Sequence, residues 1–125
     1  MSKENSYLGK IGEEAAVRAL RNNGYKIIAR NYRTKLGEID IIAKDKDTFC
    51  FVEVKTRSSD KFGLPSEAVS EAKQKQIAKA ALVYLKENKL LEQKARFDVV
   101  SVLNSKEGQK IDLIKNAFEL DERYA

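Results

Sequence analysis

The segment Gly37–Arg57, GEIDIIAKDKDTFCFVEVKTR, constrains the fold more than any other. It contains two runs of strand length, Glu38–Lys44 and Phe49–Thr56, both rich in Ile, Val and Phe. A polar turn, Asp45–Thr48, separates them. Each run is interrupted by charge: Asp40 in the first, Glu53 and Lys55 in the second. An apolar strand does not normally carry a carboxylate unless the charge is paired, hydrogen-bonded or holding a metal.

The remaining elements arrange themselves around this pair. Residues 1–7 read as a loose leader. Leu8–Asn23 predicts a helix with an apolar stripe of Leu8, Ile11, Ala15, Ala16, Ala19 and Leu20, ended by Gly24. Gly9 and Gly12 either weaken its first turns or admit close approach of another chain. Tyr25–Arg33 predicts a first strand, so three closely joined strands form an antiparallel meander. After a loop, Arg57–Pro65, Ser66 is placed to cap a helix over Glu67–Lys89, with an apolar face of Ile77, Ala78, Ala81, Leu82 and Leu85. Arg96–Leu103 and Lys110–Ala117 predict the last two strands. A helix between strands three and four is the usual way to make a parallel crossover. The expected fold is therefore α/β, a mixed five-stranded sheet flanked by helices, in one domain over residues 1–125.

Composition narrows the chemistry. The chain has no histidine, which removes Ser-His-Asp and Cys-His arrangements and His/Cys zinc sites. The one cysteine, Cys50, lies in an apolar strand and reads as a small core hydrophobe with no intrachain disulfide partner. Any bound metal must take oxygen ligands, which suits Mg²⁺ or Mn²⁺. Twenty-four basic residues against 19 acidic give a net charge of +5, compatible with a nucleic-acid partner but not proof of one. The polar start MSKENSYLGK has no apolar signal-peptide region, and no run reaches the roughly 18 apolar residues of a spanning helix. The expected location is cytoplasmic.

Strand alternation puts Glu53 and Lys55 on one face and Val52 and Val54 on the other. If the hairpin register sets Asp40 beside Glu53, two carboxylates converge and call for a cation between them. Lys55 would then sit beside a water attacking a phosphodiester, to orient it, stabilise the transition state or transfer a proton. The bland alternative is that Asp40 bonds a turn amide and Glu53 pairs with Lys55 in solvent. A third acid, Glu13 or Glu14, lies at the edge of the first helix's apolar stripe, and either also reads as ordinary surface. Arg30, Arg33, Lys35, Arg57, Lys73 and Lys10 are candidate phosphate contacts or solvated surface. Arg96 and Asp98 share a strand face and read as a structural pair first, a buttress of the site second. Phe62, in the loop after Lys55, reads as a lid over the core or a wedge against DNA.

The pieces GKIGEEAA (9–16), GY (24–25), RN (30–31), GEIDIIA (37–43), FVEVKTR (51–57), FG (62–63) and RFD (96–98) together resemble the YraN, or UPF0102, family of small bacterial proteins. That family is regarded as a distant relative of archaeal Holliday junction resolvases within the PD-(D/E)XK nuclease superfamily. The resemblance covers roughly residues 8–115 and implies a restriction-endonuclease-like core in the order α-β-β-β-α-β. It implies Asp40 as the acid of the PD half, although Ile39 stands where the superfamily name has proline, and Glu53 and Lys55 as the ExK pair. It favours Glu13 over Glu14 as the helix acid. On that reading Asp40 and Glu53 are direct metal ligands, joined by the Val54 carbonyl and by Glu13, directly or through water. The implied activity is metal-dependent endonucleolytic cleavage of DNA, including branched DNA, with RNA left open and a homodimer compatible. A noncatalytic nucleic-acid binding module and a protein-interaction factor are the alternatives.

Overall fold

The computed structural model describes residues 3–58 and 69–119. Seven elements follow one another: α1 (Lys3–Asn22), β1 (Lys26–Thr34), β2 (Gly37–Asp45), β3 (Thr48–Arg57), α2 (Glu71–Glu87), β4 (Lys94–Ser105) and β5 (Gly108–Phe118). The strands form one sheet in sequence order, antiparallel throughout except for the parallel β3–β4 pair. This is the mixed five-stranded sheet with two flanking helices expected from the sequence, in the expected order.

The helix ends differ from expectation. α1 begins at Lys3, so part of the stretch read as a leader is helical. It closes as a Schellman turn: Gly24 takes φ +87°, with Tyr25 N–H donating to the Leu20 carbonyl at 3.0 Å. α2 begins at Glu71, where Ser70 Oγ accepts the Lys73 N–H at 3.2 Å. Ser66, expected as that cap, and Phe62 lie outside the described residues.

Each helix covers one face of the sheet, and β3 is buried on both. Phe49 and Phe51 join Ile77, Ala78, Ala81 and Leu85 of α2. Cys50 and Val52 join Ala15, Ala16, Val17 and Leu20 of α1. The 2-residue period of the strand produces this division, which is why the run is apolar without a break until Glu53. Two glycines set how closely the layers approach. A Cβ on Gly12 of α1 would clash with the Thr56 side chain of β3, and one on Gly37 would stand 2.5 Å from the Gln76 carbonyl oxygen of α2. The close approach at Gly12 thus comes from the chain's own third strand rather than from another chain.

The feature that positions the site is a parting of β2 and β3. Their ladder runs from Asp45/Thr48 to Ile41/Val52 and stops. Beyond it Gly37–Ile39 pairs with β1, while Glu53–Arg57 pairs with β4. The alternation of β2 breaks at the same point: Ile41 packs in the α1 layer, yet Ile39 packs in the α2 layer.

Candidate active site

One further step along the β2–β3 register sets Asp40 across from Glu53, where the strands separate. The ladder is replaced there by a side chain: Asp40 Oδ2 accepts the Val54 N–H at 2.8 Å. The N–H and C=O of a strand residue point to the same edge, so the Val54 carbonyl faces the same gap. Glu53 is next after Phe51 on the α2 face, at the limit of the cover that α2 provides, and its side chain is only 6% exposed. Oε1 of Glu53 lies 3.8 Å from Lys55 Nζ and 4.0 Å from Lys73 Nζ. Its other oxygen, Oε2, is buried with no hydrogen-bond partner among the described residues.

Both carboxyls hold their protons unusually tightly. Burial, then the Asp40 charge, pushes Glu53 up to about 7, against the opposing pull of Lys73 and Lys55. Burial also raises Asp40, resisted by the Val54 N–H and by Lys73. Two ionised carboxylates are both acceptors and cannot bond each other, so a proton or a cation is needed to join them.

The gap opens into a cleft of about 390 Å³ lined by Asp40, Glu53, Val54, Glu13, Lys10 and Arg33, among others. Glu13 reaches it because Gly12 lets α1 settle onto Thr56. Glu13 does not join the two strand acids. Its Oε1 accepts from Arg30 Nε at 3.0 Å and from Asn31 Nδ2 at 3.1 Å. Among the described residues no three acids, histidines or cysteines gather as a metal cluster. Glu14 points outward, 56% exposed, and pairs with Arg30 at 2.5 Å.

The basic candidates divide. Arg30 is engaged by the two α1 acids, and Arg33 pairs with Glu38 of the adjoining strand at 3.2 Å. Lys10 and Lys35 are exposed, the first on the cleft and the second on the β1–β2 turn. Arg57 is half-buried, on the same strand face as Glu53 and Lys55. Lys73, expected as a phosphate contact or solvated surface, faces the Glu53 carboxylate. Arg96 and Asp98 do pair, at 2.8 Å, within a network on the opposite face of the sheet. Asp98 is fully buried and also accepts from Tyr25 Oη at 2.7 Å and from Asn116 N–H at 2.9 Å, while Arg96 reaches Asp45 at 2.9 Å. The pair fastens β4 to β5 and to the end of α1.

One residue of the cleft escaped the sequence reading. The pairs Arg30↔Ile41 and Tyr32↔Ile39 bracket Asn31 opposite Asp40, and Asn31 has φ +53°. Asparagine tolerates the left-handed region better than other side chains, and an Asn inside an otherwise strand-like run was the available signal.

A family model described as "Uncharacterised protein family UPF0102" matches residues 12–102. A UPF0102 protein of Syntrophus aciditrophicus is 53% identical over 117 residues, covering 94% of this chain and 92% of the relative. A UPF0102 protein of Geobacter metallireducens is 50% identical over 120 residues, covering 96% and 98%. Among solved structures, one titled "Crystal structure of SSO0001" aligns with 97% of this chain at a TM-score of 0.44 and 21% identity. The chain spans 56% of that structure's length. Among the described residues, no helix is long and apolar enough to cross a membrane. The match across most of the chain and the identity to full-length relatives place this protein in the UPF0102 family.

Proposed function

We propose that this protein hydrolyses phosphodiester bonds of DNA with the help of Mg²⁺ or Mn²⁺. One observation carries the reading: among the described residues a buried carboxylate oxygen, Glu53 Oε2, meets no hydrogen-bond donor, while the Asp40 carboxyl stands beside the same group and two lysines approach its other oxygen, Oε1. A protein does not normally leave such an atom bare, since an unmet buried acceptor costs about 1–3 kcal/mol. A divalent cation would satisfy it and relieve the repulsion between the acids.

The residues fit such an ion. The donors are all oxygen: the Asp40 and Glu53 carboxylates and the Val54 carbonyl, with no histidine in the chain and the Cys50 thiol buried. Hard cations that keep several waters favour this set. Glu13 borders the same cleft and would act through water, once released from Arg30 and Asn31. A bound ion would polarise the phosphate and favour the hydroxide form of an attacking water. The chain's own residues do the rest. Asp40 is fixed beside Glu53 by the Val54 N–H, which its Oδ2 accepts. Lys55 lies beside Glu53 and supplies positive charge where the phosphoryl oxygens gain negative charge. Lys10 and Lys35 are the exposed cations available to hold flanking phosphates.

The test is a cleavage panel of linear, single-stranded, flapped and four-way DNA, with an RNA strand alongside, in Mg²⁺, Mn²⁺ and EDTA. The expected result is metal-dependent cleavage that Asp40→Ala and Glu53→Ala each abolish while both variants stay folded. DNA binding without cleavage by the wild type, under every metal condition, would overturn the proposal in favour of a noncatalytic binding module. Failure to bind DNA at low salt would favour a protein-interaction factor.

A further inference from the structure

We infer that Lys73 is a second catalytic lysine, placed by α2 to contact a non-bridging oxygen of the phosphate being cleaved. The inference rests on the phosphodiesterase reading above and assigns α2 a part in the chemistry.

Lys73 occupies an electrostatically poor position. It lies in the first turn of α2, three residues after the capping Ser70, where the helix dipole disfavours a cation. Lys79 and Lys86, farther along the same helix, are exposed, whereas the Lys73 side chain is only 29% exposed and its ammonium is turned toward a buried carboxylate. The backbone fixes this direction twice. Ser70 Oγ accepts the Lys73 N–H, and α2 is pressed against β2 through the Gly37–Gln76 contact.

Lys73 and Lys55 converge on the same atom, Glu53 Oε1, from different elements, at 4.0 and 3.8 Å. Neither distance is a tight hydrogen bond, so neither lysine is committed to that oxygen. The Lys73 stem also lines a shallow groove with Arg33 and Lys35, next to the cleft. It therefore bridges the carboxylate pair and the path open to a polynucleotide.

The charge count explains why a second lysine is useful. Two carboxylates cancel a divalent ion, so the lysines provide the net positive charge of the site. In the reaction a water oxygen bonds to phosphorus as one P–O ester bond breaks. The water loses one proton and the leaving alkoxide gains one from solvent, giving a phosphate monoester and a hydroxyl end. Lys73 exchanges no proton in this scheme. It donates a hydrogen bond to a phosphoryl oxygen as negative charge accumulates there.

The test compares wild type, Lys73→Ala, Lys73→Arg and Lys79→Ala, each checked for an unchanged melting temperature. Single-turnover cleavage is measured in Mn²⁺ on the best DNA of the panel, and affinity for the same DNA is measured in Ca²⁺. The expected result is a rate loss of about 100-fold for Lys73→Ala with affinity within about 3-fold of wild type. Lys73→Arg should recover part of the rate, and Lys79→Ala should match wild type. A wild-type rate in Lys73→Ala overturns the inference while leaving the phosphodiesterase reading intact. A loss confined to affinity does the same, reducing Lys73 to a phosphate contact. Absence of cleavage by the wild type overturns the phosphodiesterase reading and the inference with it.

Discussion

At the scale of single residues, the protein stores electrostatic strain at Glu53. The folded protein holds the Glu53 proton up to about pH 7, whereas an unfolded glutamate releases it near the ordinary value of 4.5. Between those values the folded state binds more protons than the unfolded state, so raising the pH destabilises the metal-free protein. Asp40, also raised, adds to the same trend. Asp45 is lowered, chiefly by its hydrogen bond from Arg96, so its contribution is lost only as the pH falls below the ordinary aspartate range. We therefore expect stability in EDTA to fall by about 1–3 kcal/mol between pH 4.5 and pH 7.5. Glu53→Gln should flatten that slope, and millimolar Mn²⁺ should restore the wild type at pH 7.5. Urea unfolding followed by circular dichroism across the pH series checks all three outcomes. Two wild-type curves at pH 4.5 and 7.5 with equal midpoints would rule out the buried-acid strain. The sequence pointed to this residue because a carboxylate interrupted an apolar strand. Asn31 was harder to read: an Asn in a strand-like run is the local signal, but its place opposite Asp40 is set by the β1–β2 pairing.

At the scale of elements, the site depends on how closely α1 and α2 lie against the sheet. Gly12 is the contact that brings Glu13 to the cleft. Gly12→Ala removes helix-disfavouring backbone freedom but forces a methyl group against Thr56, so the steric penalty decides the sign. The expected change is a destabilisation of about 1–3 kcal/mol. Thr56→Ala, which removes both the hydroxyl oxygen and the methyl group at this contact, should recover part of it when combined with Gly12→Ala. Melts of the single and double variants check the coupling, and strict additivity would show that the two residues do not meet. The five strands and two helices were legible because their apolar periods are strong. The helix starts were less so. Lys3–Tyr7 is polar and carries no apolar stripe, so nothing local marks it as helix. The effective cap of α2, Ser70, competes in the sequence with Ser66, and only tertiary packing at Gly37 and Gln76 determines where the helix meets the sheet. For the same reason Lys73 read as one lysine among several on a helix, although it is the one aimed at Glu53.

At the scale of the molecule, the net charge of +5 would be an unremarkable excess if it were spread evenly. Of the 24 basic residues, Arg30, Arg33, Lys94, Arg96 and Lys115 each pair with an acid. At the parted strands Arg33 is one of these paired cations, and four lysines supply the remaining positive charge. Lys10 and Lys35 are exposed, and Lys55 and Lys73 share one buried carboxylate that a metal would occupy. Binding to DNA should therefore be driven by a few phosphates at the cleft and not by the general surface. The affinity measured in Ca²⁺ should fall with rising salt at a slope that corresponds to about three to five phosphate contacts. Lys10→Ala and Lys35→Ala should each reduce that slope by about one, with cleavage at saturating DNA retained. Lys94→Ala, which removes a cation already paired with Asp47 at 3.1 Å, should leave the slope unchanged. Fluorescence anisotropy of a labelled duplex over a salt series gives all the slopes. An equal reduction in the Lys94 variant would mean that DNA reads the overall charge and not the cleft, which would remove the geometric reason for placing a scissile phosphate between β2 and β3.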